Sequence, residues 1–245
     1  MRRRDALLAL VIAAVLAAPA PCGAQFSQRP SQSMSPPRFF GGAEFVYAAP
    51  QREFRDYVNS GWGGAGHFLW AVDETGIFAL RLEGGLLSYG HETKRGGCIT
   101  DIFGGCRVLV DVTTSNNIVF LGIGPQLMVP NGRFHPYVNG TLGFSYFYTQ
   151  SSLDARNYGQ TLAQNTNYHD AVLSSTAGVG LYVPTEISRV KFSVDVGASY
   201  RWNGKTRYLR EGSITDNPDG TITYTPIESK TDLLQLHLGV SFGAR

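Results

Sequence analysis

The sequence predicts an all-β fold in which eight antiparallel strands close into an up-and-down transmembrane β-barrel. Three observations predict it. The segment 190–202 alternates apolar and polar residues throughout, which is long for a globular strand and long enough to cross a bilayer at a tilt. Only 16% of the residues are charged, against about 25% in soluble domains. Seven further alternating segments are joined by short turns at one end and by long loops at the other.

Residues 1–24 have the composition of a secretory signal peptide. Three arginines at positions 2–4 precede an apolar run that ends at Ala20, and small residues follow up to Ala24. We expect cleavage before Gln25. Removing this segment takes away three arginines and one aspartate and leaves eighteen residues of each sign. The remaining chain is formally neutral, so its charge does not predict binding to nucleic acid.

The segment 25–37 is rich in Ser, Gln and Pro, and we expect a flexible periplasmic lead-in to a barrel that spans 38–243. After residue 24 no apolar run reaches the length of a spanning helix. A membrane location would therefore require a closed barrel, because every backbone polar group must find a partner inside the bilayer.

The eight predicted strands follow in order along the chain. They cover 39–47, 62–72, 77–89, 117–129, 136–148, 171–183, 190–202 and 231–243. Tight turns are predicted at 73–76, 130–132 and 184–189, where Gly, Asp, Asn and Pro gather. Four long polar loops are predicted at 51–60, 91–112, 151–170 and 203–229, and the last contains a hairpin around 216–220.

Eight charged or imidazole side chains, from five of the predicted strands, fall on the polar face of their strand, and this face is expected to line the lumen. They are Glu44, His67, Arg81, Glu83, Lys191, Asp195, Arg201 and His237. Buried charges must pair, since an isolated one costs several kcal/mol. Lys191 and Asp195 lie about 13 Å apart on one strand, so each needs a partner on another strand. We predict a cross-lumen network that plugs the barrel; a gated conduction path is the alternative.

Aromatic residues stand near the ends of the apolar rows, as expected where hydrocarbon meets headgroups. This predicted girdle consists of Tyr47, Trp62, Trp70, Tyr146, Tyr148, Tyr200, Trp202 and Phe242.

Two other classes of protein fit part of the pattern. A soluble, secreted lipocalin-like barrel would invert the two faces, but its water-facing side should be dense in Lys and Glu, whereas the polar face here is mostly Gly, Ser, Thr and Asn. A membrane-embedded lipid A-modifying enzyme would need a close Ser, His and acid grouping. His67 and His237 have no serine companion in a nucleophile motif. We therefore predict no catalytic residue, no cofactor and no metal site.

Cys98 and Cys106 lie in one exported, glycine-rich loop. A disulfide between them is the favoured interpretation, worth about 2.5 kcal/mol by the chain-entropy estimate. Metal binding by the two thiols is the weaker alternative.

Taken together, the strand number and the loop asymmetry resemble the small eight-stranded outer-membrane barrels related to the OmpA transmembrane domain and OmpX, over residues 38–243. The resemblance implies an integral outer-membrane protein of a Gram-negative-type cell with a structural or surface-interaction role. Its surroundings would be outer-membrane lipid and lipopolysaccharide, and its loops would face an unknown extracellular partner. The last strand resembles the signal read by the barrel assembly machinery, with Phe242 as the aromatic, although that aromatic is usually the final residue.

Overall fold

A computed structural model of the chain describes residues 38–100, 106–155, 160–187, 190–210, 212–217 and 222–244. The predicted signal peptide (1–24) and lead-in (25–37) lie outside this part of the chain. Within it, no helix has the length and apolar character needed to cross a membrane.

Twelve strands make up most of the structure. Eight of them are long: β1 (Phe39–Pro50), β2 (Gly61–Ala71), β3 (Phe78–Thr100), β4 (Cys106–Met128), β5 (His135–Ala155), β6 (Gln160–Ile187), β7 (Val190–Asn203) and β12 (Leu233–Ala244). Four are short: β8 (Lys205–Tyr208), β9 (Ile214–Asp216), β10 (Ile222–Tyr224) and β11 (Ile227–Lys230).

The eight long strands close into one antiparallel barrel, which confirms the predicted fold class. Their order around the barrel is β1, β12, β7, β6, β5, β4, β3 and β2. The ring closes where the first strand pairs with the last, from Phe39 opposite Ala244 to Pro50 opposite Leu233. Among the described residues, closure leaves the ring of eight strands without a free edge strand.

Two of the four predicted long loops are not loops over most of their length. β3 and β4 keep pairing well beyond residue 91, for example Glu92 with Thr114. β5 and β6 do the same beyond residue 151, where Ser151 pairs with Asn165. The prediction was wrong there because the extended parts of β3, β5 and β6 are mostly polar on both faces, so the alternation that marks the barrel strands is lost while the backbone ladder continues. The apolar residues of β4 at 108–112 were assigned to the same loop.

The longest predicted loop, 203–229, is also built from short strands. β8 pairs with β11, and β9 pairs with β10. Thr215 lies opposite Thr223, so the strand pairing of the predicted hairpin is confirmed, while residues 218–221 of its turn lie outside the described residues.

The first predicted loop contains a short 3-10 helix, Arg52–Asp56, that carries one fully buried residue, Phe54. The Phe54 ring packs edge-on against Tyr208, with centroids 5.1 Å apart, and against Tyr89 at 5.7 Å. The prediction of a polar loop over 51–60 was wrong for Phe54 and Val58, which are buried at the loop end of the lumen.

The lumen has three layers. The loop-end layer is apolar and consists of Val46, Ala48, Phe54, Val58, Leu87, Tyr89, Ile118, Phe120, Phe147, Tyr208 and Leu233. The turn-end layer is also apolar and consists of Leu69, Ala79, Met128, Tyr137 and Tyr182. Charged and polar side chains fill the middle. The interior expected to be hydrophilic therefore carries aliphatic and aromatic residues near both ends of the strands. Buried polar side chains, such as the hydrogen-bonded pair Thr149 and Asn116, also lie at the loop end.

The outside of the barrel is covered by large apolar side chains. Leu173 is 83% exposed, Leu142 70% and Leu238 58%. The apolar rows of the strands therefore point away from the charged middle layer, as the alternation of apolar and polar residues predicts.

Candidate functional site

The middle layer gathers seven of the eight side chains predicted to face the lumen. They are Glu44, His67, Arg81, Glu83, Asp195, Arg201 and His237. They come from β1, β2, β3, β7 and β12, and they share the inner surface because every second residue of a strand points to the same side. The side chain of Lys191 lies outside the described residues, so its partner stays a prediction.

Glu83 holds two guanidinium groups on one side of this layer. Arg81 donates from Nε to Glu83 Oε2 at 3.0 Å, and Arg201 donates from Nη2 to Glu83 Oε1 at 3.0 Å. Thr141 donates its hydroxyl hydrogen to the same Oε1 at 2.9 Å. The Arg201 guanidinium also lies over the Phe120 ring, 4.1 Å from the centroid. A cation between a carboxylate and an aromatic face is well stabilised at a dry site.

Glu44 links the guanidinium side of the layer to the imidazole side. Its Oε1 accepts a hydrogen bond from Arg81 Nη2 at 3.3 Å and also bonds the Nδ1 of His67. The other ring nitrogen of His67 lies 2.7 Å from Ser241 Oγ and 3.4 Å from the hydroxyl of Tyr182. Both nitrogens of this buried imidazole therefore have partners, which fixes its ring.

Tyr137 connects Asp195 and His237. Its hydroxyl donates to Asp195 Oδ1 at 2.9 Å and lies 3.0 Å from His237 Nε2. The second carboxylate oxygen, Asp195 Oδ2, is buried and has no hydrogen-bond partner among the described residues. Both oxygens of Glu83 are thus bonded, whereas only one oxygen of Asp195 is, and Arg201 Nε is also without a hydrogen-bond partner among the described residues.

Two glycines make space for the imidazoles. A Cβ atom at Gly42 would lie 2.5 Å from His67 Cε1, and one at Gly197 would lie 2.7 Å from His237 Cε1. Both contacts are shorter than real Cβ contacts allow, so the two rings occupy the places where side chains would otherwise stand.

Sequence reasoning missed Tyr137 and Tyr182 as members of the site. Both fall within segments predicted as apolar strands, yet each lies on the inward parity of its own strand, two positions from Asn139 and from Gly180 respectively. The rule that assigned the charged residues to the lumen would have placed these hydroxyl groups there as well. Their rings stack with centroids 4.6 Å apart.

The aromatic residues of the predicted girdle lie on the outer surface at two levels. Six stand at the loop end: Tyr47, Trp62, Tyr146, Tyr148, Tyr200 and Trp202. Trp70 and Phe242 stand at the turn end, next to the start of β1. Trp62 is the most open of the three tryptophans at 64% exposure.

Cys98 and Cys106 fall at the facing ends of β3 and β4. Their side chains lie outside the described residues, so the disulfide between them stays a prediction.

No protein-family model matches this chain, and no curated protein matches it. Solved structures with a similar fold include the attachment invasion locus protein Ail of Yersinia pestis, at 12% identity and a TM-score of 0.41, over 85% of this chain and 100% of Ail. A major outer membrane protein from Thermus thermophilus aligns at 13% identity and a TM-score of 0.42, over 83% and 98%. The outer membrane protease OmpT of Escherichia coli aligns at 9% identity and a TM-score of 0.36, over 85% and 94%.

Such low identities and TM-scores carry no function from those proteins to this one. The class of this chain follows from its own geometry, which is a closed ring of eight antiparallel strands with an apolar outside and a charged middle layer. These features define an eight-stranded β-barrel of the outer-membrane type.

Proposed function

We propose that this protein is an integral outer-membrane β-barrel with a structural or surface-interaction role. One observation carries the proposal: the apolar rows face outward at mid-height, while the ionic groups face inward. Leu238 is 58% exposed at a position where its neighbour His237 points into the lumen. In water such a surface would leave a continuous apolar belt exposed, far beyond the patches that soluble monomers tolerate. In a bilayer the same apolar belt would contact the hydrocarbon of the lipids.

The same observation argues against a soluble secreted barrel. A lipocalin-like protein keeps its apolar side chains inside and presents charges to water. Here Glu44, Arg81, Asp195 and Arg201 are all buried within the ring. Inverting the two faces would turn these four ionic groups out to water, where an ion pair that crosses the lumen, such as Arg201 with Glu83, could not form.

The packing of the lumen supports a closed barrel over a conducting one. Apolar layers cover the charged layer at both ends. The cavity beside Glu44, Arg201 and His237 measures about 20 Å³, which is room for one water molecule. An eight-stranded barrel has an interior just wide enough for side chains. We expect no conductance steps of porin size in planar bilayers.

The loop end supplies the surface that could meet a partner. The β3–β4 and β5–β6 hairpins extend past the aromatic girdle, and β8 to β11 stand beside them. Outer-membrane barrels carry their long connections on the extracellular side, and exposed connections carry most binding functions. A non-enzymatic role in contact with lipopolysaccharide and an extracellular partner fits this arrangement. Unchanged lipid A mass spectra with and without the protein would agree with it.

Membrane fractionation tests the proposal. The protein should stay with outer membranes after carbonate extraction, and unboiled samples should migrate differently from boiled ones. Release by carbonate together with a single mobility would identify a soluble barrel and overturn the proposal.

A pair of matched variants sharpens this test. Leu238→Arg places a charge at mid-height on the outer surface, which costs about 2–4 kcal/mol in a bilayer, and should reduce the amount of folded protein in the membrane. Thr223→Arg, on the exposed β10 strand, should leave that amount unchanged. Equal yields of the two variants would contradict the membrane assignment, since a water-facing arginine at 238 would be harmless.

A further inference from the structure

The carboxylate of Asp195 is fully buried, and only one of its oxygens is satisfied. Oδ1 accepts a hydrogen bond from Tyr137, whereas Oδ2 has no hydrogen-bond partner among the described residues. His67 Nδ1 lies 3.9 Å from Oδ2, but that nitrogen is already bonded to Glu44. Buried polar groups in native structures almost always have partners. The unsatisfied oxygen therefore indicates that a further group completes this part of the layer.

His237 presents a ring nitrogen toward the Glu44 carboxylate. Tyr137 donates its single hydroxyl hydrogen to Asp195, so the bond between Tyr137 and His237 Nε2 requires the hydrogen to come from the imidazole. The neutral ring then carries a lone pair on Nδ1. This atom faces Glu44 Oε2 at 4.0 Å. Two lone-pair atoms facing each other gain nothing without a proton or a cation between them.

The Glu44 carboxylate also has one oxygen that is bonded by neighbours and one that faces His237. Its Oε1 is held by His67 and Arg81, which leaves Oε2 toward His237. Glu44 and His237 thus each have one atom fixed by a neighbour and another turned toward the other residue, while Asp195 has one oxygen fixed by Tyr137 and one without a partner among the described residues. Asp195 approaches His237 through Oδ1, which lies 3.7 Å from Nε2. One possible ligand atom from each of the three residues lies within 4.8 Å of those of the other two.

The net charge of the middle layer also favours a bound cation. Three carboxylates, those of Glu44, Glu83 and Asp195, face two guanidinium groups, those of Arg81 and Arg201. Among these five described side chains, one carboxylate has no guanidinium counterpart. A bound cation would offset its charge.

We propose that Glu44, Asp195 and His237 form a binding site for a divalent transition-metal ion such as Zn²⁺. Zinc takes carboxylate oxygens and imidazole nitrogens at about 2.0–2.2 Å, so small side-chain movements would close the group around the ion. Tyr137 and His67 hold the remaining atoms of the ligands, as outer-shell partners do at metal sites. A cavity that borders Glu44 and His237, on the side away from Asp195, has room for one water molecule. Water is a common fourth ligand at open zinc sites.

The three ligands come from β1, β7 and β12, which are adjacent in the barrel. The ion would therefore cross-link the seam at which the first and last strands close the ring. Its role would be to stabilise the closed barrel. This inference does not depend on the membrane assignment, since a soluble barrel would contain the same site.

Metal content after refolding tests the proposal. The purified protein is unfolded in urea with a chelator, refolded in detergent with Zn²⁺, separated from free metal and assayed by elemental mass spectrometry. The wild type should hold one Zn²⁺ per folded chain, and Asp195→Asn and His237→Gln should each hold less than about a tenth as much. Two controls should keep the full amount: His135→Gln, in the exposed turn-end region, and the double variant Cys98→Ser/Cys106→Ser.

Thermal unfolding gives a second test, because its expected result would not occur if Asp195 had a purely structural role. Zn²⁺ should raise the unfolding temperature of the wild type and leave that of Asp195→Asn unchanged. Without metal, Asp195→Asn should unfold at a higher temperature than the wild type, because the substitution removes the unbalanced charge.

Three results would overturn the site. These are less than about a tenth of a zinc ion per wild-type chain, retention of zinc by Asp195→Asn, and loss of zinc from the cysteine variant. If either ligand variant fails to fold, the absorption spectrum of the Co²⁺-loaded wild type replaces it as the test. Visible bands typical of oxygen and nitrogen ligands would support the site, and a thiolate-to-metal charge-transfer band would contradict it.

Discussion

Arg201 on β7 and Glu83 on β3 are not on neighbouring strands, yet Arg201 Nη2 lies 3.0 Å from Glu83 Oε1. This bond crosses the lumen and ties opposite walls of the barrel together. Because Arg201 also lies over Phe120, a member of the loop-end apolar layer, the same side chain joins that layer to the charged one. The ionic layer is therefore part of the barrel's core packing.

Replacing Glu83 with Ala should strongly destabilise the barrel. Arg81 and Arg201 would both lose the carboxylate between them, and removing one partner of a buried ion pair costs about 3–5 kcal/mol. Urea unfolding in detergent, followed by tryptophan fluorescence, measures the loss. Asp154→Ala, at the exposed end of the β5–β6 hairpin, serves as the control and should cost less than about 1 kcal/mol. Similar losses for the two variants would show that the Glu83 bridge contributes little.

Gly143→Ala should also destabilise the barrel, through the backbone. A Cβ atom at Gly143 would lie 1.9 Å from the carbonyl oxygen of Leu121 on the neighbouring strand. The two strands would have to separate, at a cost of about 1–3 kcal/mol for overpacking. The control is Gly41→Ala, where the nearest atom would be 3.9 Å away. Urea unfolding should separate the two variants, and equal midpoints would mean that β4 and β5 accommodate the methyl group.

Phe54→Ala should create a cavity at the loop end of the lumen. The ring is fully buried and packs against Tyr89, Phe147 and Tyr208, so the expected cost is about 3–5 kcal/mol. Phe54→Leu should cost clearly less, since it keeps most of the volume. Neither variant should conduct ions in planar bilayers, because the charged layer below remains closed. Large conductance steps in Phe54→Ala would show that Phe54 alone blocks the lumen.

Asp73, in the turn between β2 and β3, should make that turn sensitive to acid. A hydrogen bond from the Thr75 hydroxyl, with further ones from the Phe78 and Ile77 amides, holds the pKa of Asp73 below its ordinary value of 3.8. A lowered carboxyl pKa means that the stabilisation is complete above pH 3.8 and is lost as pH falls through the lowered pKa. Carboxyl-carbon NMR should give a midpoint below 3.8, and Asp73→Asn should abolish the acid-induced shifts of both amides. A midpoint at or above 3.8 would contradict this account.

The barrel strands could be predicted from the sequence because their two faces differ chemically. In β12, the outward row of Leu236, Leu238 and Val240 alternates with inward His237 and Ser241. Such a signal is local and needs no knowledge of the partner strand. It disappears in the β5–β6 hairpin beyond residue 151, where both faces are polar and only backbone pairing holds the strands. Strand length was therefore underestimated there.

The sequence was sufficient to predict which side chains of the site point inward. It was not sufficient to predict which of them bond to each other. Parity alone places Glu83 and Arg201 in the lumen, but the bond between them depends on the tilt and closure of the ring. Phe54 shows a different limit. It is a single apolar residue between Glu53 and Arg55, so no periodicity marks it, and only the fold shows that the 3-10 helix turns it inward.

Spin labels at successive positions 234–242 of β12, with the protein in lipid vesicles, test most directly which surface meets the hydrocarbon. Accessibility to oxygen and to a water-soluble nickel reagent should alternate with a period of two. Labels at Leu236, Leu238 and Val240 should be open to oxygen and protected from nickel, whereas those at His237 and Gly239 should be protected from both. High nickel accessibility at Leu238 and its two outward neighbours would place this face in water and contradict the account.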